Sequence, residues 1–352
     1  MDKPAPLAGI TTQEIETSRL KQHVYFSGPD DGIPVILVHG NCASALHWEE
    51  TMLALPGYRC IAPDLRGYGW TEARPLDATR GMREWADDLH ALVEALGLGR
   101  FHLIGHSMGG GVAMQYAIDH PAMLRSLTLT DTVSPYGFGG TRGVDGQPVW
   151  PDFAGSGGGT VNPEFVKYIE QAERGTGNPN YPRDVINAAY YKPPFRYHRE
   201  EEMLTSLLTT RTGLDFYPGD MTPSANWPNV APGTRGVANA FCPKYANTGA
   251  LADIAPQPPI LWVQGADDMI VSDTSFFDFG FLGKLGLVPG WPGDEVYPPQ
   301  PMVSQTRYVL DQYQANGGRV EAHTIAGAGH CCYIDQAEKF NEILRAFLAS
   351  AG

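Results

Sequence analysis

Long apolar runs and a secretory signal are both missing from this sequence of 352 residues. No apolar run approaches the roughly 20 residues needed to cross a bilayer, so no membrane span is expected. The first residues lack a basic flank followed by an apolar stretch, so export through a cleaved signal is not expected either. These absences favour a cytoplasmic protein.

Cysteine and positive charge are also scarce. The five cysteines are odd in number, lie scattered along the chain and match no zinc-ligand spacing. This pattern indicates a reducing compartment, and it argues against both a disulfide framework and a metal site. With 25 basic and 39 acidic residues the formal net charge is −14, which makes nucleic acids and anionic membranes poor partners.

Apolar residues make up an ordinary share of the chain, 43%, and they fall into alternating patterns. Near-continuous apolar runs predict strands over 34–40, 59–67, 101–107, 124–131, 258–268 and 319–330. Helical patterns lie over 82–99, 107–120, 163–174, 199–212, 300–316 and 335–349. This alternation predicts an α/β fold with a mostly parallel sheet flanked by helices.

A long middle segment interrupts the alternation. Residues 132–256 are rich in glycine, proline, asparagine and aromatic residues, and a separate domain of that length without regular structure would be unusual. We therefore predict a core domain of residues 1–131 and 257–352, with 132–256 inserted as a cap between the strand ending near 131 and the strand starting near 258. The glycine-rich residues 154–160 are expected to form a flexible loop, either a hinge of the cap or a plain connector.

One serine stands in a distinctive setting between a predicted strand and a predicted helix. Gly105-His106-Ser107-Met108-Gly109 is a G-x-S-x-G pentapeptide, which in a sharp strand-to-helix turn needs residues without bulk on both sides of the serine. Such a turn lifts the serine hydroxyl to the N-terminus of the helix, where partial positive charge favours a developing anion. The pattern therefore indicates a nucleophilic serine.

A serine hydroxyl is a weak nucleophile and needs a base that a third group orients. His330 follows the last predicted strand in GAGH, and Asp267 and Asp268 follow an earlier one in QGADDM. Because the carboxyl ends of parallel strands meet at one edge of the sheet, these residues are expected to lie near Ser107. The chain order serine, aspartate, histidine is one of the known orders of a catalytic triad.

Beyond these residues the chain carries short motifs in a fixed order: VHGN (38–41), PDLRGYG (63–69), GHSMGG (105–110), GADDMIV (265–271) and GAGH (327–330). Together they resemble the α/β-hydrolase superfamily, in its capped branch of esterases, lactonases and carbon–carbon bond hydrolases. The resemblance implies Ser107 as nucleophile, His330 as base and Asp268 as acid. It leaves Asp267 as the second choice of acid and Asp131, at the end of the strand before the cap, as the third.

The same resemblance implies an oxyanion hole built from the backbone N–H groups of Asn41 and Met108, and neither a cofactor nor a metal. His39 is expected to orient the loop that carries Asn41. Asp64 and Arg66, in the PDLRGYG motif, are expected to brace a loop and to take no part in catalysis.

The expected activity is hydrolysis of an ester or lactone of an apolar or aromatic carboxylic acid, through an acyl-enzyme on Ser107. Aromatic residues of the insertion and the long segment 276–301 are expected to line the pocket for this small-molecule substrate. Two alternatives stay open: cleavage of a carbon–carbon bond in a diketone-like substrate, and ligand binding by a receptor that retains the triad. Nothing in the sequence indicates the oligomeric state.

Overall fold

Eight strands form the central sheet in residues 2–351, the part of the chain that this computed structural model describes. In spatial order they run β1-β2-β4-β3-β5-β6-β7-β8. The strands are β1 (Ile10–Glu16), β2 (Lys21–Ser27), β3 (Ile33–Val38), β4 (Tyr58–Pro63), β5 (Phe101–His106), β6 (Leu124–Thr130), β7 (Ile260–Gly265) and β8 (Val320–Ile325). Along this spatial order all pairings from β4 to β8 are parallel, whereas β2 pairs antiparallel with both β1 and β4.

The six predicted strands are all present, and β1 and β2 are the two that the apolar pattern did not predict. Every residue of β5 and of β7 is buried, as expected for central strands covered on both faces. In β1 most residues are partly or fully exposed, so this edge strand has no continuous apolar run that could predict it.

Eleven α-helices are described in residues 2–351. They are α1 (Glu49–Leu53), α2 (Arg83–Ala95), α3 (Met108–Asp119), α4 (Pro163–Glu170), α5 (Pro182–Val185), α6 (Glu200–Leu208), α7 (Val237–Ala240), α8 (Phe279–Lys284), α9 (Met302–Ala315), α10 (Cys332–Asp335) and α11 (Ala337–Ser350). The predicted helices over 163–174 and 199–212 are present but shorter. The side chain of Asn162 caps α4 by accepting the N–H of Glu164 at 3.0 Å, which the sequence pattern indicates.

The segment between β6 and β7 contributes no strand to the central sheet within the described residues. It contains α4 to α7, a π-helical turn at Ile186–Tyr190 and small two-stranded sheets. The Arg199 guanidinium pairs with the buried Glu49 carboxylate, and Ser44 and Ser206 hydroxyls lie 2.7 Å apart. These contacts fix α6 of the insertion against the core; its role as a cap stays a prediction.

The glycine-rich residues 154–160 form a packed segment, and the prediction of a flexible loop is wrong. Residues 154–158 are buried, and Gly158–Thr160 form a turn of 3-10 helix. A Cβ atom at Gly158 would lie 2.6 Å from the carbonyl oxygen of Asp220, and one at Gly159 would lie 2.1 Å from Val230 Cγ2. The glycines here permit close packing of the backbone, and a flexible loop was wrongly predicted because composition does not show these contacts.

Among residues 2–351, no helix has both the length and the apolar character required to cross a membrane.

Candidate active site

Ser107 occupies the sharp turn between β5 and α3. Its backbone has φ of 53° and ψ of −123°, a left-handed conformation that costs energy in a residue with a side chain. A Cβ atom at Gly105 would lie 2.3 Å from the Gly109 carbonyl oxygen, and one at Gly109 would lie 2.4 Å from the His39 carbonyl oxygen. The two glycines of the pentapeptide are therefore required for this turn, as predicted.

His330 and Asp268, predicted from different strand ends, are in direct contact. His330 Nδ1 lies 2.9 Å from Asp268 Oδ2, and both side chains are buried. The other carboxylate oxygen, Oδ1, accepts the backbone N–H groups of Ile270 at 2.8 Å and Val271 at 3.0 Å. The loop after β7 thus holds the carboxylate, whose Oδ2 accepts a hydrogen bond from the protonated Nδ1 of His330.

Asp268 is the neighbour that raises the pKa of His330 most. Burial by itself would lower the pKa of His330, but the charge and hydrogen bond of Asp268 outweigh it and raise that pKa above the ordinary value. With Nδ1 donating to the carboxylate, the neutral ring has Nε2 free to accept a proton.

Neither alternative acid makes this contact. Asp267 is one-third exposed and pairs with Lys192 Nζ at 2.7 Å. Asp131 is fully buried, accepts the Gly265 N–H at 2.6 Å, and makes no hydrogen bond to His330 among the described residues. Burial, followed by the nearby charge of Asp268, raises the pKa of Asp131 above its ordinary value.

Ser107 and His330 line the same cavity, and their side chains are not joined by a hydrogen bond in the part of the chain described. Asn41 and Met108 line this cavity too. A serine–histidine bond that is long or absent before substrate binds is common in such sites. Four of the five predicted site residues therefore line one cavity, and the fifth, Asp268, lies behind His330 in direct contact with its ring.

The loop carrying Asn41 is braced as the sequence predicts. His39 Nε2 accepts the Leu65 N–H at 2.9 Å, so its Nδ1 carries the proton and donates to the Gly40 carbonyl oxygen at 2.8 Å. Burial lowers the pKa of His39, which keeps the ring neutral for these two bonds. The Tyr68 hydroxyl adds a third support by donating to Asn41 Oδ1 at 2.7 Å.

Asp64 and Arg66 have the bracing roles predicted for them. Asp64 is fully buried and accepts the N–H groups of Ala45 at 2.8 Å and Trp70 at 3.0 Å. Arg66 forms a bidentate ion pair with the buried Asp88: Nε donates to Oδ2 and Nη2 to Oδ1, each at 2.8 Å. Neither side chain lines the cavity.

The cavity beside Ser107 has a volume of about 370 Å³. Its walls are mostly apolar, and none of the described residues that line it is an aspartate, glutamate, lysine or arginine. As predicted, aromatic side chains from both the insertion and the segment after β7 contribute: Phe138, Phe165, Tyr190, Tyr217, Phe241, Phe276, Phe277 and Phe279. Such a surface suits a neutral, apolar compound.

Some residues around His330 were missed by sequence reasoning. His106 Nε2 lies 2.8 Å from the His330 carbonyl oxygen. Asp335 accepts the N–H groups of Gly329 at 2.7 Å and Lys192 at 2.8 Å. His106 could have been singled out because it adjoins Ser107, but Asp335 stands in an ordinary helical pattern that carries no comparable signal.

A family model described as "alpha/beta hydrolase fold" matches residues 33–276. The chain belongs to this alpha/beta hydrolase family. The carboxylesterase CesB (YbfK) from Bacillus subtilis has a similar fold, with a TM-score of 0.59 at 16% identity, over 97% of this chain and 92% of that structure.

Curated relatives match shorter stretches. The 2-hydroxymuconate semialdehyde hydrolase of Pseudomonas sp. (strain CF600) is 34% identical over 149 residues, which are 40% of this chain and 50% of the relative. The 2-hydroxy-6-oxo-2,4-heptadienoate hydrolase of Pseudomonas putida (strain F1) is 36% identical over 123 residues, 34% of this chain and 43% of the relative. The matched stretches thus span half or less of these relatives.

Proposed function

We propose that the protein is a serine hydrolase that cleaves a neutral ester or lactone of an apolar or aromatic carboxylic acid. The observation that carries the proposal is the contact between His330 and Asp268 beside an apolar cavity that Ser107 also lines. In this proposal Ser107 is the nucleophile, His330 the general base and Asp268 the acid that orients it.

The proposed reaction begins when Ser107 Oγ attacks the substrate carbonyl carbon and its proton passes to His330 Nε2. Asp268 holds the ring with the proton on Nδ1 and stabilises the imidazolium that forms. The N–H groups of Asn41 and Met108 bind the oxyanion, a contribution of about 3 kcal/mol for each donor. His330 then protonates the leaving alcohol, and water repeats the sequence on the acyl-enzyme.

Carbon–carbon bond hydrolysis is the second candidate, and the names of the two curated relatives favour it. One of them is named for a heptadienoate, a compound that carries a carboxylate. In the present cavity such a carboxylate would find no lysine or arginine among the lining residues described, and burying an unpaired charge is costly. The lining therefore favours a neutral ester over an anionic dienoate.

Two esters of equal chain length test the proposal. We expect turnover of 4-nitrophenyl hexanoate, and a kcat/KM at least about 100-fold lower for the 4-nitrophenyl monoester of adipic acid, which adds one carboxylate. Equal rates on the two esters would contradict the neutral-substrate assignment. Faster cleavage of 2-hydroxy-6-oxo-2,4-heptadienoate than of either ester would establish the second candidate instead, and a single turnover without recycling would indicate a receptor.

A cytoplasmic location is part of the same proposal. All five cysteines are free and buried, a pattern that suits a reducing compartment.

A further inference from the structure

His106 ties the turn that carries Ser107 to the loop that carries His330. It is the residue directly before Ser107, it is buried, and it lines the cavity. Its Nε2 lies 2.8 Å from the His330 carbonyl oxygen, and the centres of the two imidazole rings are 4.7 Å apart. The contact joins residues that are 224 positions apart in the chain.

The hydrogen-bond partners of His106 define which nitrogen carries its proton. A carbonyl oxygen can only accept, so Nε2 must be the donor to His330. Nδ1 lies 3.4 Å from the Tyr333 hydroxyl, and that hydroxyl is the group that can donate to it. Burial, followed by the proximity of His330, lowers the pKa of His106 well below its ordinary value, which keeps the ring neutral and this pattern intact.

Tyr333 is itself held firmly. Its ring stacks on Trp48 with centroids 4.2 Å apart, and both rings are fully buried. The backbone of Gly40 also approaches His106, so closely that a Cβ atom at Gly40 would lie 2.9 Å from His106 Nδ1. The His106 ring thus sits in a fixed slot between the Asn41 loop and the His330 loop.

Three successive backbone groups of the His330 loop have separate anchors. The Gly329 N–H donates to Asp335, the His330 carbonyl accepts from His106, and the Cys331 N–H donates to the Tyr190 carbonyl oxygen at 2.8 Å. Of these anchors, only His106 adjoins Ser107. It therefore relates the position of His330 to that of the serine.

We propose that His106 is a positioning residue for the proposed hydrolysis: by donating from Nε2 to the His330 carbonyl oxygen, it sets the distance between the His330 ring and Ser107. The inference rests on the proposed serine-hydrolase function. It predicts an effect on the chemical step and little effect on substrate binding, because the bond acts on the base and because leucine or glutamine keeps a side chain of similar size at this point of the cavity wall.

Matched substitutions test this role on a neutral nitrophenyl ester. His106→Leu removes the donor and should lower kcat by about tenfold or more, with KM changed by less than about twofold. His106→Gln restores an N–H near the position of Nε2 and should recover most of kcat. His102→Leu is the control: His102 is a buried histidine of the same strand, with its Nδ1 2.7 Å from Ser126 Oγ, and its loss should reduce thermal stability without changing kcat.

Tyr333→Phe supplies a second route if His106→Leu does not fold. Removing the hydroxyl takes away the group that faces His106 Nδ1 at 3.4 Å and leaves the ring less firmly held, so kcat should fall, by less than in His106→Leu, with KM unchanged. An unaltered kcat in folded His106→Leu, an unaltered kcat in Tyr333→Phe, or an equal loss of kcat in His106→Gln and His106→Leu would each overturn the inference. Ser107→Ala, tested in parallel, separates the two claims, because ordinary activity in that variant would overturn the proposed function itself.

Discussion

Asp268→Asn distinguishes the proposed acid from the two other candidate carboxylates. In the folded protein Asp268 Oδ1 accepts two backbone N–H groups, from Ile270 and Val271, while Oδ2 faces His330 Nδ1. After the substitution the amide oxygen is expected to keep the two backbone donors, so the amide N–H₂ group turns toward His330. The ring must then accept at Nδ1 and carry its proton on Nε2, where it cannot take the proton of Ser107.

The expected loss is large because the wrong tautomer removes the general base. In serine proteases the corresponding change costs about 10⁴-fold in kcat, which equals about 5.4 kcal/mol of transition-state stabilisation. We expect a loss of about this size for Asp268→Asn with a neutral nitrophenyl ester. The measurement is steady-state kcat at neutral pH, with circular dichroism and thermal unfolding to show that the variant folds.

Two control variants complete this test. Asp267→Asn should change kcat by less than about twofold, because an exposed ion pair such as the one with Lys192 contributes little. Asp131→Asn should cost far less than Asp268→Asn, because Asp131 makes no hydrogen bond to His330 among the residues described. A large loss of kcat in Asp131→Asn, together with a nearly unchanged kcat in Asp268→Asn, would refute the assignment of the acid.

Three further outcomes are expected. His330 must be neutral to accept the proton of Ser107, and its pKa is raised. The value of kcat/KM should therefore fall on acidification with a midpoint above the ordinary histidine pKa of about 6.5. A midpoint below that value would contradict the role of Asp268. Gly159→Ala should destabilise the fold by about 1–3 kcal/mol through overpacking. Gly99→Ala, where a Cβ atom meets nothing within 4 Å, should leave the melting temperature unchanged. Equal melting temperatures for the two variants would support the prediction of a flexible loop after all. Tyr190→Phe removes a hydroxyl that lies 3.4 Å from the Asn41 carbonyl oxygen and should lower kcat by about fivefold; an unchanged kcat would show that this contact does not hold the Asn41 loop.

The positions of the proposed triad were predictable because they follow from topology. Ser107 directly follows β5, and Asp268 and His330 lie in the loops that follow β7 and β8. The carboxyl ends of such parallel strands meet at one edge of the sheet. The choice of Asp268 over Asp267 rested on the resemblance to a family, and the structure adds its physical reason. Asp268 turns inward to accept Ile270 and Val271 N–H groups, while its neighbour faces solvent.

Other features could not be predicted because they depend on contacts between distant parts of the chain. The glycines at 157–159 look flexible in the sequence, and only the approach of Asp220 and Val230 reveals that they permit packing. The bond from His106 to the His330 carbonyl likewise exists only after β5 and the last loop have come together. Strand β1 escaped prediction because an edge strand with one exposed face lacks a continuous apolar run.

Covalent trapping of the nucleophile tests the central claim most directly. The protein is treated with a fluorophosphonate, digested, and the modified peptide is located by mass spectrometry, with Ser107→Ala treated in parallel. The account predicts one adduct per chain on Ser107, complete loss of esterase activity on labelling, and a folded Ser107→Ala variant that is neither labelled nor active. An adduct on another residue, or ordinary turnover by folded Ser107→Ala, would contradict it.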